Sequence, residues 1–263
     1  MSGSRIAIIG VGQVGAAAAY ALILGSVATE LLLVDTNISL RDGYIGQTNL
    51  DYIYQNISII KTIIDGMAPL KSDAILLIVS NPVDLLTSLA LQLSRLPPSQ
   101  VLGSGTYLDS MRLRGMLADR IRVAAKSIDL FVLGVQGGSQ VTAWSTATIG
   151  GIPIKESLSK EDVIDRSTLS SECKHRSQSI VRAKGSTPFG IGSVISSICS
   201  SITLDKGTVY PISHFQPSFG CCFSLPVVLG KKGIQRKVQM PLTFDEDAQI
   251  ADSAAALKKL IDQ

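Results

Sequence analysis

Three glycines at fixed spacing carry the first chemistry legible in this chain: Gly10-Val11-Gly12-Gln13-Val14-Gly15, with Asp35 twenty residues further on. Gly10 permits a tight turn, Gly12 lets the backbone approach a pyrophosphate, and Gly15 lets a helix pack closely on a strand. Gln13 and Val14 stand at the helix start, where free N–H groups face phosphate oxygens. Asp35 can accept hydrogen bonds from a ribose diol and repels a 2′-phosphate, which favours NAD over NADP.

Glycine turns are common, so the elements around this one decide its meaning. Arg5–Ile9 is a short β-branched apolar run, hence a buried strand. Ala16–Leu24 reads as a helix stopped by Gly25, and Leu31–Val34 as a second strand that delivers Asp35 at its carboxyl end. Strand, turn, helix, strand and acid occur in the order that dinucleotide binding requires.

Other chemistries are sparsely represented. Cys173, Cys199, Cys221 and Cys222 lack metal-ligand spacing; no metal site is expected, and the four read as reduced thiols of a cytoplasmic protein. His175 and His214 are the only histidines, and both read as structural. A chain of 263 residues, 46% hydrophobic and 17% charged, can bury a substantial core with parallel strands. The net charge of +3 is spread out, so neither nucleic acid nor a membrane surface is an expected partner. The densest basic group is Arg112, Arg114, Arg120, Arg122 and Lys126, read as the solvated side of a helix except at Arg112. The first strand begins within a few residues of Met1, leaving no room for a signal peptide, and no apolar run reaches transmembrane length.

Beyond Asp35 the pattern lapses: Thr36–Asn49 is polar and holds no strand-like run. Leu50, Ile53, Tyr54, Ile57, Ile60 and Ile64 then recur at helical spacing. Ala74–Val79 is a buried strand, Pro82 opens a helix running to about Ser94, Val101–Gly103 is a short strand, and a long helix starts near Asp109. Further strands are expected over Ile128–Leu133, Val141–Ile149, Val209–Phe215 and Cys222–Leu229, and helices over Glu161–Lys184, Phe189–Ser201 and Asp245–Leu260.

With these residues in place, the chain resembles the lactate/malate dehydrogenase family, and most of all its fungal lactate dehydrogenase-like branch. The resemblance rests on GVGQVG with Asp35, SNPVD (Ser80–Asp84), VLGSGTYLDSMRLR (Val101–Arg114), VLGVQGGSQ (Val132–Gln140) and KGSTPFGIG (Lys184–Gly192). It implies an α/β fold: a Rossmann-type doubly wound parallel sheet over residues 1–103 and a C-terminal α+β substrate domain over 104–263. It implies NAD as cofactor, a 2-oxo or 2-hydroxy acid as small-molecule substrate, and a homodimer or homotetramer. Within the resemblance, Asn81 helps to place nicotinamide and substrate, Arg112 clamps the substrate carboxylate, Asp109 orients the catalytic histidine, and Thr187 lies near the nicotinamide. Arginine suits the clamp because its planar fork matches a carboxylate bidentately. Read without the family, Asp109 would be a helix cap and Arg112 an exposed helix charge.

Three departures from the family qualify this expectation. The H-G-D-S motif stands here as Gln136-Gly137-Gly138-Ser139. Glutamine can donate a hydrogen bond to a ketone but cannot carry the proton that histidine takes and returns near neutral pH. Asp109 thereby loses its cationic partner, and Gln136 or Arg112 is left to supply a donor. At the substrate loop, Gly46–Asp51 resembles only a trailing edge, with Asn49 where an arginine is expected. Between Arg41-Asp42-Gly43 and Ile45-Gly46-Gln47, two strands of the family and their connections are missing, shortening the sheet near 36–49 and removing part of the adenine wall, so NAD affinity should fall. The Ala74–Val79 strand is expected to move in beside Arg5–Ile9. Together these features describe a pseudoenzyme on a dehydrogenase frame; the alternative is an active or repurposed NAD-dependent dehydrogenase.

Overall fold

A computed structural model describes residues 4–35, 49–158, 164–184 and 187–262. The expected substrate-loop remnant before Asn49, the polar stretch 36–48 and the start of the 161–184 helix therefore lie outside the described residues.

The N-terminal unit is β1 (Arg5–Ile9), α1 (Gln13–Leu24) and β2 (Glu30–Val34), with β1 and β2 parallel and in register from Arg5↔Glu30 to Ile9↔Val34. Alanine fills α1 because the helix must lie close to its neighbours, and Gly25 ends it as its C-cap. α2 (Asn49–Met67) turns Ile57, Ile60 and Ile64 toward α3 (Val83–Ser94), β3 (Leu76–Ile78) and β4 (Val101–Gly103), where Ile78, Val83, Leu86, Ala90 and Val101 form one core.

α4 (Tyr107–Ile121) leads into the short strands β5 (Ile128–Asp129), β6 (Val132–Leu133), β7 (Val141–Thr142), β8 (Thr148–Ile149) and β9 (Ile152–Pro153), then a single turn α5 (Ile154–Ser157). The expected long strands at 128–133 and 141–149 are thus each broken in two. Ala143 donates back to Phe131 and a 3-10 turn over Trp144–Thr146 interrupts the second. The long helices α6 (Arg166–Lys184) and α7 (Pro188–Thr203) follow, then β10 (Thr208–Gln216), β11 (Cys221–Gly230), β12 (Gly233–Lys237) and α8 (Phe244–Ile261). β12, β9 and α5 have no counterpart among the elements expected from the sequence.

Five strands make the main sheet in the order β12-β11-β10-β4-β3, parallel at β3–β4 and antiparallel elsewhere. The molecule is a Rossmann-type α/β unit followed by a mixed domain, and among the described residues its parallel strands fall in two pairs. The expected pairing of Ala74–Val79 with Arg5–Ile9 does not occur: β3 pairs with β4, β1 pairs with β2, and no ladder joins β1 to β3 among the described residues. Helix packing explains it. α1 rides directly on α7, where a Cβ on Gly192 would meet Ala17 O at 2.9 Å and Ser196 donates to Ala21 O at 3.3 Å. That contact fixes the β1–α1–β2 unit, so β1 is not free to slide toward β3.

The basic group on α4 also needs correction at Arg114. It is half-buried, donates to Leu130 O at 2.9 Å and lies over the Phe131 ring. Arg120 is exposed and pairs with Glu172. All four cysteines are free, and burial pushes each thiol up, to about 11 for Cys221 and about 12 for the others, so they are inert. No helix among the described residues is long and apolar enough to cross a membrane.

Candidate active site

Two hydroxyls at the start of α4 set the geometry. Thr106 Oγ1 donates to Val132 O at 2.5 Å, and Ser110 Oγ accepts the Val132 N–H at 2.9 Å. They stitch α4 to β6, and the chain then bridges Gly134 to Ser224 on β11 through both main-chain hydrogen bonds. Ser224 also uses its Oγ to accept the N–H of Thr106. Gly134 and Gly137 hold φ of +83° and +119°, so the loop from 134 to 140 turns back at positions suited to glycine.

This frame brings Asp109, Arg112 and Gln136 together. Asp109 is not the helix cap; Thr106 holds that position, and Asp109 is buried in the first turn of α4. Its carboxylate lies 3.5 Å from Arg112 Nη1, with the arginine side chain 13% exposed. The Gln136 side chain stands beside the same carboxylate and favours its ionised form. Burial raises the Asp109 pKa, against the pull of Arg112 and then of Gln136. Both groups left open by the sequence therefore lie beside Asp109. Arg112 is also no exposed helix charge: a Cβ on Gly190 of α7 would sit 3.9 Å from its Nη2. The start of α7 thus closes over the arginine, with Thr187 as the N-cap residue of that helix.

Asn81 stands exposed just ahead of α3, its main-chain oxygen accepting from Asn56 Nδ2 of α2 at 2.8 Å. Asp84, three residues on, was not singled out from the sequence, where it reads as an ordinary acid in a first helical turn. In the structure its Oδ2 accepts the Gln136 N–H at 2.6 Å.

The histidines are elsewhere. His214 is buried in β10 with both ring nitrogens engaged, Nδ1 to Ile212 O and Nε2 to the Gln216 amide. His175 is exposed on α6, its Nδ1 at 2.8 Å from Ser171 O, in a shallow groove with Met116, Glu172 and Arg176. No group of metal ligands occurs among the described residues.

The glycine turn fits a dinucleotide. Gly10 has φ +91° and donates its N–H to Val34 O. A Cβ on Gly15 would meet Gly10 O at 2.0 Å, so this position admits only glycine. Gly10 and Gly12 face open space within 4 Å, the room a pyrophosphate needs. α1 begins at Gln13 and Val14 with no side-chain cap and no acid in its first turn, leaving an anion-receptive helix end. Asp35 accepts the Val11 N–H at 2.6 Å, which ties the acid to the turn.

Comparison with known proteins bears on the same residues. A family model described as the lactate/malate dehydrogenase alpha/beta C-terminal domain matches residues 106–263, and one described as the lactate/malate dehydrogenase NAD binding domain matches 42–103. The L-lactate dehydrogenase A of Rhizopus oryzae is 35% identical over 98% of this chain and 92% of its own. That match runs over 295 aligned positions against the 263 residues of this chain, so the alignment opens gaps within it. The L-lactate dehydrogenase of Synechococcus sp. (strain JA-3-3Ab) is 32% identical over 97% of both chains. Among solved structures, the minor L-lactate dehydrogenase of Enterococcus mundtii in its ligands-bound form superposes with a TM-score of 0.93 at 28% identity, covering 100% of this chain and 98% of that one. A lactate dehydrogenase from a Medee basin deep-sea metagenome library gives 0.94 at 26% identity, covering 100% and 99%.

Proposed function

Because this chain belongs to the lactate/malate dehydrogenase family, we propose that it is an NAD-binding, 2-oxo or 2-hydroxy acid-binding protein whose hydride-transfer activity is impaired. One observation carries the reading: Gln136 stands in the position of the family's acid/base histidine, beside Asp109. NAD, when bound, supplies the hydride donor or acceptor; the remaining tasks fall to this chain. Residues 1–103 form the cofactor unit on this reading, with Gly10, Gly12, Gln13, Val14, Gly15, Asp35 and Asn81 toward NAD. Residues 104–263 form the substrate unit, with Arg112, Asn81 and Thr187 toward the acid.

Arg112 can clamp a carboxylate, since its half-buried guanidinium lies beside the start of α7 as well as beside Asp109. Gln136 can steer a ketone oxygen by donating a hydrogen bond. It cannot deliver the proton that must reach that oxygen as hydride reaches carbon, and loss of a positioned acid/base costs roughly 10²–10⁴ in rate. Neither histidine substitutes, for His214 is buried with both nitrogens engaged and His175 lies on α6. Affinity for NAD is reduced on this reading by the missing adenine wall. Family membership further supports a homodimer or homotetramer, and the inert thiols accord with a cytoplasmic setting.

A second reading, a working or repurposed dehydrogenase, draws support from the retained Arg112, Asn81 and glycine cradle. Two assays separate the readings. NADH fluorescence titration should show binding, and NADH oxidation with pyruvate, oxaloacetate and other 2-oxo acids should show little turnover. Turnover at ordinary enzyme rates would discard the impaired reading; no NADH binding would discard both.

A further inference from the structure

Asp84 stands behind the loop that carries Gln136. It occupies the first turn of α3, is 3% exposed, and takes the Gln136 N–H on Oδ2 at 2.6 Å. Its Oδ1 is buried without a hydrogen-bond partner, and so is Oγ of Ser213 on β10. The Ser213 hydroxyl nonetheless eases the carboxylate's charge, as the Gln136 N–H does. From β11, the thiols of Cys221 and Cys222 face it, and the electrostatic reach of Lys258 on α8 is to Cys221. Among the described residues, no cation is one of the groups that act on Asp84. Burial accordingly pushes its pKa up from 3.8 to about 6.

An uncompensated carboxylate at this place does not serve stability. Folding raises its pKa, so between about 3.8 and about 6 the native state holds more proton than the unfolded chain. Stability is greatest with Asp84 protonated and declines as pH rises through that window. What the ionised form does gain is a short charge-assisted bond to one main-chain N–H, two residues beyond Gly134 and directly before the positive-φ Gly137.

We propose that Asp84 is the positioning residue of the site: its ionised carboxylate draws the Gln136 main chain against α3, and uptake of one proton slackens the 134–140 loop. Asp84 thereby couples the placement of the Gln136 amide, and so of its contact with Asp109, to acidification. The proposal concerns the loop of the ligand-free protein; its consequence for ligands rests on the function proposed above.

Hydrogen exchange on the protein without cofactor tests it, after correction for the chemical exchange rate. Between about pH 7.5 and about pH 5, protection of the Gln136 and Gly137 amides should fall about tenfold while that of α4 holds. In Asp84→Asn the loop should show the low protection at both pH values, and its melting temperature at about pH 7.5 should rise above the parent's. Ser213→Ala, which removes one group favouring the ionised form, should move the parent's midpoint to higher pH. Loop protection that ignores pH would overturn the proposal. So would an Asn variant whose stability and loop protection fall together at neutral pH, because the aspartate would then be a packing element only. Should that variant fail to fold, the parent and Ser213→Ala decide. Failure of NADH to bind would leave this result standing and sink only the functional reading.

Discussion

Asp109 and Arg112, one turn apart on α4, form a buried ion pair at 3.5 Å, and the side chain of Gln136 favours the charge of the same carboxylate. A buried carboxylate with one long ion-pair contact is poorly satisfied, so the glutamine does structural work in a place where the family keeps a reactive group.

Gln136→Ala should therefore destabilise the fold by about 1–3 kcal/mol, because it removes a polar neighbour from a buried carboxylate rather than deleting a surface contact. Asp109→Asn in that background should recover part of the loss, since the neutral amide needs less support. Urea denaturation of the three proteins at neutral pH measures both steps, and an Ala variant as stable as the parent would remove Gln136 from the support of Asp109.

Gln136→His restores a group able to donate and recover a proton, within reach of an aspartate that can orient it. NADH oxidation with 2-oxo acids should rise by about 10²-fold over the parent. The rate should stay below that of family enzymes, because no arginine stands at position 49 to polarise the carbonyl. An unchanged rate would place the defect in the shortened cofactor half instead.

The cofactor cradle is tested by two glycines that differ in what surrounds them. Gly12 has φ −64° and open space before it, so Gly12→Ala should leave the melting temperature within a degree or so and weaken NADH about tenfold by filling the pyrophosphate's approach. Gly15 has Gly10 O at 2.0 Å from any added Cβ, so Gly15→Ala should lower both stability and binding. Equal effects of the two substitutions on NADH affinity and on folding would contradict the assignment of separate roles.

Much of this was legible because it is written locally. The β1–α1–β2 unit, α2, α3, β4, α7, β10, β11 and α8 follow from periodicity, glycine stops and proline starts, and their ends shift by only a few residues, although β1 alternates exposed and half-buried residues instead of lying buried as expected. The grouping of Asp109, Arg112 and Gln136 was legible only through motif company, since nothing in spacing brings residue 136 back to residue 109. Pairing was misread where a non-local contact decides it: α1 lies on α7, 175 residues away at the Ala21–Ser196 contact, and that holds β1 away from β3. Asp84 escaped notice because an acid in a first helical turn has an ordinary explanation there; only its burial and the Gln136 N–H reveal otherwise.

His214 yields the last prediction. Burial first, then the charge of Lys237, lowers its pKa from 6.5 to about 4, against the Ile212 carbonyl that favours the protonated ring. The folded ring stays neutral while the unfolded one takes a proton, so its contribution is complete above about pH 6.5 and lost as pH falls toward about 4. A shift of that size corresponds to about 3 kcal/mol at most. Asp84 works in the opposite sense over an overlapping window, so the two partly cancel in the parent. In His214→Asn, which keeps a donor toward Ile212 O, stability should vary less steeply between about pH 6.5 and about pH 4 and should even rise on acidification as Asp84 takes up its proton. Chemical denaturation at several pH values gives the two slopes; a variant that loses stability toward acid as steeply as the parent would show that carboxylates elsewhere, and not this imidazole, govern the acid limb.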